Sequence, residues 1–169
     1  PTIVASKAAR CVQAARGRAL FDFGARRGHG PHAGFLCARS AYLAGFAGTS
    51  HVEAARVLGI PCVGTMAHSW VQSFDHESDA FHVFAQAFPT NATLLVDTYD
   101  TPLGVRRAAE TAPPAQAIRI DSGDLDALTR EARGILDGVG RRDMKILLSG
   151  DLNESKIDAM LQRGTPADA

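Results

Sequence analysis

The chain has 169 residues, the size of one domain or part of one and too short for a complete eight-fold β/α barrel of about 250 residues. Its composition, 46% hydrophobic and 21% charged, is that of a globular chain and excludes a disordered one. Eighteen Lys and Arg balance eighteen Asp and Glu, which excludes binding of nucleic acid or anionic lipid by bulk charge, so any anion site must come from a local cluster.

Cys11, Cys37 and Cys62 are widely spaced and form no Cys-x-x-Cys pair. This points to a reducing, cytoplasmic setting rather than a disulfide framework or a structural zinc site. Two stretches free of Asp, Glu, Lys and Arg, Val57 to Phe74 and Ala80 to Val96, carry Pro, His, Gln, hydroxyls or amides, unlike a lipid-facing helix. No basic segment precedes an apolar run at the start, so no signal peptide is expected. The lack of an initiating Met and the tail-less end at Ala169 suggest a piece of a longer protein.

In chain order, Ser6 to Ala15 is rich in Ala, Lys and Arg and predicts a helix that Gly17 stops. Ala19 to Phe23 is a short strand-like run. Between Phe23 and Gly34, four glycines surround Arg26, Arg27, His29 and His32, a loop type that lets backbone approach a ligand. A helix is predicted from Phe35 to Phe46, and Ser50-His51-Val52-Glu53 predicts a capping box opening the next, which ends near Gly59. Apolar runs then recur at Pro61–Val63, Leu94–Val96, Ile118–Ile120 and Ile146–Leu148, alternating with helix-patterned stretches. Leu125, Leu128, Ile135 and Leu136 form one helical stripe, and Ile157, Met160 and Leu161 another. Thr101-Pro102 marks a helix start. The alternation predicts an α/β fold with a parallel sheet and helices outside it.

Each apolar run is followed by polar residues: Gly64 to Ser69, Asp97 to Asp100, Asp121-Ser122-Gly123 and Ser149-Gly150-Asp151. Strand C-termini of a parallel sheet share one rim, and there β/α folds bind ligands. Period-two alternation puts Ile118 and Ile120 on one face of their strand and Arg119 and Asp121 on the other. An Arg within a strand needs a partner. Taken singly, Asp100, Asp121 or Ser122, and Asp151 are equally good helix N-caps, and Ser50 is explained by its capping box.

The segments Phe23-Gly24-Ala25-Arg26-Arg27, Gly64-Thr65-Met66-Ala67-His68-Ser69, Val96-Asp97-Thr98-Tyr99-Asp100 and Ile118-Arg119-Ile120-Asp121-Ser122-Gly123-Asp124 together resemble the central part of the nicotinate phosphoribosyltransferase family. The resemblance spans essentially the whole chain. It implies part of an irregular TIM-like β/α barrel of the type II phosphoribosyltransferase fold, with a segment of an adjoining α/β domain. It implies that residues 1–18 lead in from that domain and 19–169 form the incomplete barrel. It further implies transfer of a phosphoribosyl group from 5-phosphoribosyl 1-pyrophosphate to nicotinate, coupled to ATP hydrolysis, with magnesium carried by the pyrophosphate, in a homodimer.

By the same resemblance His68 is the phosphorylated histidine and Asp97 its carboxylate partner. Phe23 stacks on the pyridine ring. Arg119, Arg26 and Arg27 meet the nicotinate carboxylate and the phosphates, and Asp121 and Asp151 hold the ribose hydroxyls. Gly24, Ser69, Asp100 and Gly150 join them as substrate-binding positions. Ser50 stands where the nicotinamide-using relatives have an Asp, and its lack of charge favours nicotinate. A nicotinamide or quinolinate enzyme, or a non-catalytic metabolite-binding relative, remains open. The resemblance also implies that flanking segments supply further ligand contacts, so the 169 residues alone are expected to be inactive.

Overall fold

The computed structural model describes all residues, 1–169. The chain divides into two compact units. One comprises residues 1–64, 152–163 and 169, the other 65–151 and 164–168.

In the first unit, α1 (Thr2–Ala15) begins one turn earlier than its Ala- and Lys-rich stretch suggested. Its C-terminal Arg16 and the following Gly17 both take positive φ, which ends the helix. Two two-residue strands, β1 (Phe21–Asp22) and β2 (Gly48–Thr49), pair in parallel, Phe21 opposite Gly48 and Asp22 opposite Thr49. Between them a 3₁₀ turn (Ala25–Arg27) precedes α2 (Pro31–Leu43), which starts at the proline, ahead of the expected Phe35. The third helix, α3 (Val52–Leu58), is capped by His51, whose ring nitrogen Nδ1 accepts from the Ala54 N–H at 3.3 Å. Ser50 is therefore not the cap, and the expected capping box does not form. Pro61–Val63 is not a full strand; Cys62 makes a single bridge to Thr49. The last helix of this unit, α8 (Glu154–Gln162), lies along α1. Glu154 takes Lys7 and Arg10, and Asp158 takes Arg16 at 2.5 Å. The bonds from Lys7 and Arg10 hold the half-buried Glu154 carboxyl down to about 2.

The second unit is a three-stranded parallel sheet in the order β3 (Thr93–Leu95), β4 (Ala117–Ile120), β5 (Lys145–Leu148). Helices α4 (His68–Val71) and α5 (Glu77–Ala87) precede it, and α6 (Thr101–Thr111) and α7 (Leu125–Gly138) make its crossovers. Leu94, Ile118, Ile120 and Ile146 are fully buried among Phe81, Val105, Ala108, Leu136 and Met144. The apolar face of β4 thus meets the core, as alternation predicts. Arg119 and Asp121 take the other face. The helix caps sort the polar candidates: Asp100 caps α6, Asp124 caps α7 and Asn153 caps α8. Asp121, Ser122 and Asp151 are released from that duty. No helix is long and apolar enough to cross a membrane.

Candidate active site

In the second unit the C-terminal ends of β3, β4 and β5 bring a polar cluster together. β4 is the middle strand, with Arg119 opposite Leu95 on one side and Leu147 on the other. The Arg119 side chain is only 12% exposed. Its Nε donates to Ser149 Oγ at 2.7 Å, its Nη1 to Thr65 Oγ1 at 2.8 Å and its Nη2 to Asp121 Oδ1 at 2.5 Å. Ser149 Oγ also donates to Asp121 Oδ1 at 2.5 Å. Burial pushes the Asp121 carboxyl up, but the Ser149 and Arg119 bonds and the Arg119 charge outweigh it, with help from His68, and hold it below its ordinary value. Arg119 is thus the strut of the cluster. A substrate carboxylate reaching it must share nitrogens already bonded to protein.

Asp97, one residue beyond β3 and Val96, is 2% exposed at its side chain. Its Oδ2 accepts from the Asp121 backbone N–H at 2.9 Å and from Ser122 Oγ at 2.6 Å. Its Oδ1 is buried with no hydrogen-bond partner. That oxygen lies 4.0 Å from His68 Nε2, and Asp121 Oδ2 lies 3.9 Å from the same nitrogen. Both are beyond hydrogen-bond reach and within strong electrostatic reach. The imidazole's hydrogen bond is made elsewhere, between Nδ1 and Thr98 Oγ1 at 3.1 Å. The expected Asp97–His68 pairing is therefore looser than a bond, because the backbone of Asp121 and the hydroxyl of Ser122 hold the other carboxylate oxygen.

Gly150 shows how tightly the rim is built. Its φ is +101°, and a Cβ there would run into the carbonyl oxygen of Asp121. Only glycine lets the β5 end press against the backbone that carries the central carboxylate. Asp151 follows with φ of 51°, exposed. Ser69 is exposed on α4, and Asp100 spends Oδ1 on the Leu103 N–H at 2.8 Å.

In the first unit Phe23 and Ser50 each lie one residue past the ends of neighbouring parallel strands. Buried Asp22 ties them: its carboxylate accepts from Thr49 Oγ1 at 2.8 Å and from the Gly24 N–H at 2.9 Å, and its carbonyl accepts from the Ser50 N–H at 2.8 Å. Arg26 and Arg27 are exposed on the 3₁₀ turn that follows. The sequence reading missed Asp22 and Thr49, whose signal was a charged residue ending an apolar run. It missed Thr65, Thr98, Ser122 and Ser149 as well, although each lay inside a strand-end segment already singled out. No group of three or more His, Cys, Asp or Glu side chains is placed to hold a metal ion.

Comparison with known proteins bears on what these residues serve. The profile of the nicotinate phosphoribosyltransferase (NAPRTase) family matches residues 18–163. The chain belongs to the nicotinate phosphoribosyltransferase family. Over 173 residues it is 50% identical to a nicotinate phosphoribosyltransferase of Mycobacterium tuberculosis, covering 99% of this chain and 37% of that protein. It is 38% identical over 174 residues to the Bacillus subtilis nicotinate phosphoribosyltransferase, covering 99% and 35%. The chain thus spans little more than a third of the length of these relatives. Among solved structures it resembles the nicotinate-nucleotide pyrophosphorylase of Pyrococcus furiosus, with a TM-score of 0.90 and 30% identity over 98% of this chain and 44% of that one. It also resembles the human nicotinic acid phosphoribosyltransferase, with a TM-score of 0.84 and 26% identity over 98% and 45%. As a nicotinate phosphoribosyltransferase family member it carries part of the type II phosphoribosyltransferase α/β fold.

Proposed function

We propose that the protein containing this chain transfers the phosphoribosyl group of 5-phosphoribosyl 1-pyrophosphate to nicotinate, giving nicotinate mononucleotide and pyrophosphate in NAD salvage. ATP is hydrolysed along the way through phosphorylation of His68. The observation that carries the reading is the buried, hydrogen-bond-free Asp97 Oδ1 facing His68 Nε2 at 4.0 Å, with Asp121 Oδ2 at 3.9 Å. Two carboxylate oxygens around Nε2 favour a proton there and oppose the arrival of a phosphoryl group on that side. Nδ1 is bonded to the neutral Thr98 hydroxyl rather than to a carboxylate, so it is the nucleophile. Its lone pair attacks the terminal phosphorus of ATP, the N–P bond forms, and the bond from phosphorus to the ADP oxygen breaks. Nε2 keeps its proton, and the Asp97 and Asp121 carboxylates offset the positive charge on the ring.

The remaining roles are assigned by family resemblance. Phe23 stacks on the pyridine, and the uncharged Ser50 accepts a base bearing a carboxylate that an Asp would repel. Its release from capping duty supports this, since its hydroxyl is not committed to α3. Arg26 and Arg27 neutralise phosphates, for which the planar guanidinium fork is suited. Asp121 and Asp151 hold ribose hydroxyls, and Asp121 steadies the positive charge that builds on the sugar as pyrophosphate leaves. Magnesium arrives as part of the pyrophosphate substrate.

The test is incubation of the full-length protein with ATP labelled in its terminal phosphate. Acid-labile, base-stable label on His68 is expected, and none in His68→Ala. Absence of label in the wild type, or label that survives His68→Ala, would overturn the reading.

A further inference from the structure

We propose that Thr98 is the positioning residue for the reacting histidine: its hydroxyl sets the tautomer of His68 before phosphorylation and then holds the transferred phosphoryl group. The inference rests on the reading of His68 as phosphoryl acceptor and adds a residue that reading does not require.

Thr98 Oγ1 is 3.1 Å from His68 Nδ1, across 30 residues of sequence. A neutral imidazole carries its proton on one nitrogen and a lone pair on the other. With Nε2 turned toward the oxygens of Asp97 and Asp121, the proton belongs on Nε2. Nδ1 is then an acceptor, and the Thr98 O–H donates to it. The hydrogen bond to one ring nitrogen decides the state of the other. Thr98 also has the right mobility. Asp97 before it is locked by Asp121 and Ser122, and Asp100 two residues on is locked into the α6 cap. The backbone is therefore pinned on both sides, and the side chain moves by rotation about χ1. That rotation carries the hydroxyl off the Nδ1 lone pair, phosphorus takes its place as the N–P bond forms, and the hydroxyl then donates to a phosphoryl oxygen. No proton is transferred in this motion. One acceptor replaces another, and the donor follows the developing negative charge.

Two variants separate this from a merely structural role. Thr98→Val keeps the shape and removes the donor, and Thr98→Ser keeps the donor and removes the methyl. The first measurement is ¹⁵N NMR of the His68 ring in the full-length protein without nucleotide. The wild type and Thr98→Ser are expected to show a single tautomer protonated on Nε2, and Thr98→Val a mixture. The second is the rate of His68 labelling from ATP, expected to fall about five- to tenfold in Thr98→Val, the effect of one lost hydrogen bond, and to be restored in Thr98→Ser. Wild-type labelling rate and an unmixed tautomer in Thr98→Val would overturn the inference and leave the phosphohistidine reading standing. Absence of label in the wild type would overturn both.

Discussion

A glycine-to-alanine exchange in α6 separates local helix preference from tertiary fit. Gly104 is buried in that helix, and its φ is not positive, so helix propensity alone favours Gly104→Ala by about 1 kcal/mol. In the fold, however, a Cβ at this position would collide with the carbonyl oxygen of Val96, with the Val96 carbonyl carbon at 3.1 Å and its Cα at 3.3 Å. Carbon and carbonyl oxygen ordinarily meet at about 3.3–3.6 Å. The obstacle is backbone and cannot rotate away, so α6 must lift from the end of β3. Overpacking of this kind costs about 1–3 kcal/mol, with a rigid backbone obstacle at the upper end. Subtracting the gain in propensity leaves a net loss of about 2 kcal/mol. Gly134 in α7 is the internal control, because a Cβ there meets nothing within 4 Å. Gly134→Ala is expected to gain up to about 1 kcal/mol.

Two chemically identical substitutions should therefore differ by about 3 kcal/mol, or about 6–12 °C in midpoint for a cooperative unit of this size. Thermal denaturation of the full-length protein, with the midpoint read by circular dichroism, measures this. Val96 leads directly into Asp97 and Thr98, so Gly104→Ala should also slow labelling of His68, and Gly134→Ala should leave it unchanged. A Gly104→Ala protein as stable as the wild type would refute the argument. The close approach of α6 to Val96 would then play no part in placing the site.

Two further predictions concern charge. Because Asp121 is held below the ordinary carboxylate value of about 3.9, it contributes stability above that value, which is lost as pH falls through its lowered folded pKa. The deficit of Asp121→Asn should therefore be constant from about pH 5 to about pH 7 and shrink below about pH 4; a deficit that widens on acidification would contradict the assignment. Glu77 behaves in the opposite sense. Burial raises its carboxyl despite the Arg107 bond at 3.2 Å, and its Oε1 has no hydrogen-bond partner. Arg107→Ala should cost about 1–3 kcal/mol at about pH 7, less than for a fully buried pair because Arg107 is 40% exposed. The loss should ease as pH falls toward the raised pKa of Glu77 and the carboxyl becomes neutral, and melting curves at about pH 7 and about pH 5 read the difference.

Much of the architecture is written in short-range pattern. The runs at Leu94, Ile118 and Ile146 became neighbouring parallel strands, and the alternation Ile118, Arg119, Ile120, Asp121 assigned two faces correctly. Asp100 before Thr101-Pro102 capped its helix as such a sequence should. These features depend on dihedral preference and side-chain period, which act over a few residues.

Other choices had several equally good local answers. By residue type Ser50 is the better cap, yet His51 caps α3. Asp151, Asp121 and Ser122 suit the role, yet Asn153 caps α8 and Asp124 caps α7. The site depended still more on distant partners. Arg119 needed Thr65 from 54 residues away and Ser149 from 30, and His68 met Thr98 before either carboxylate. A hydroxyl or guanidinium bonds whichever complementary group folding delivers within about 3 Å. Spacing along the chain carries no record of that delivery, so the residue types were legible from the start and their partners were settled only when the strands came side by side.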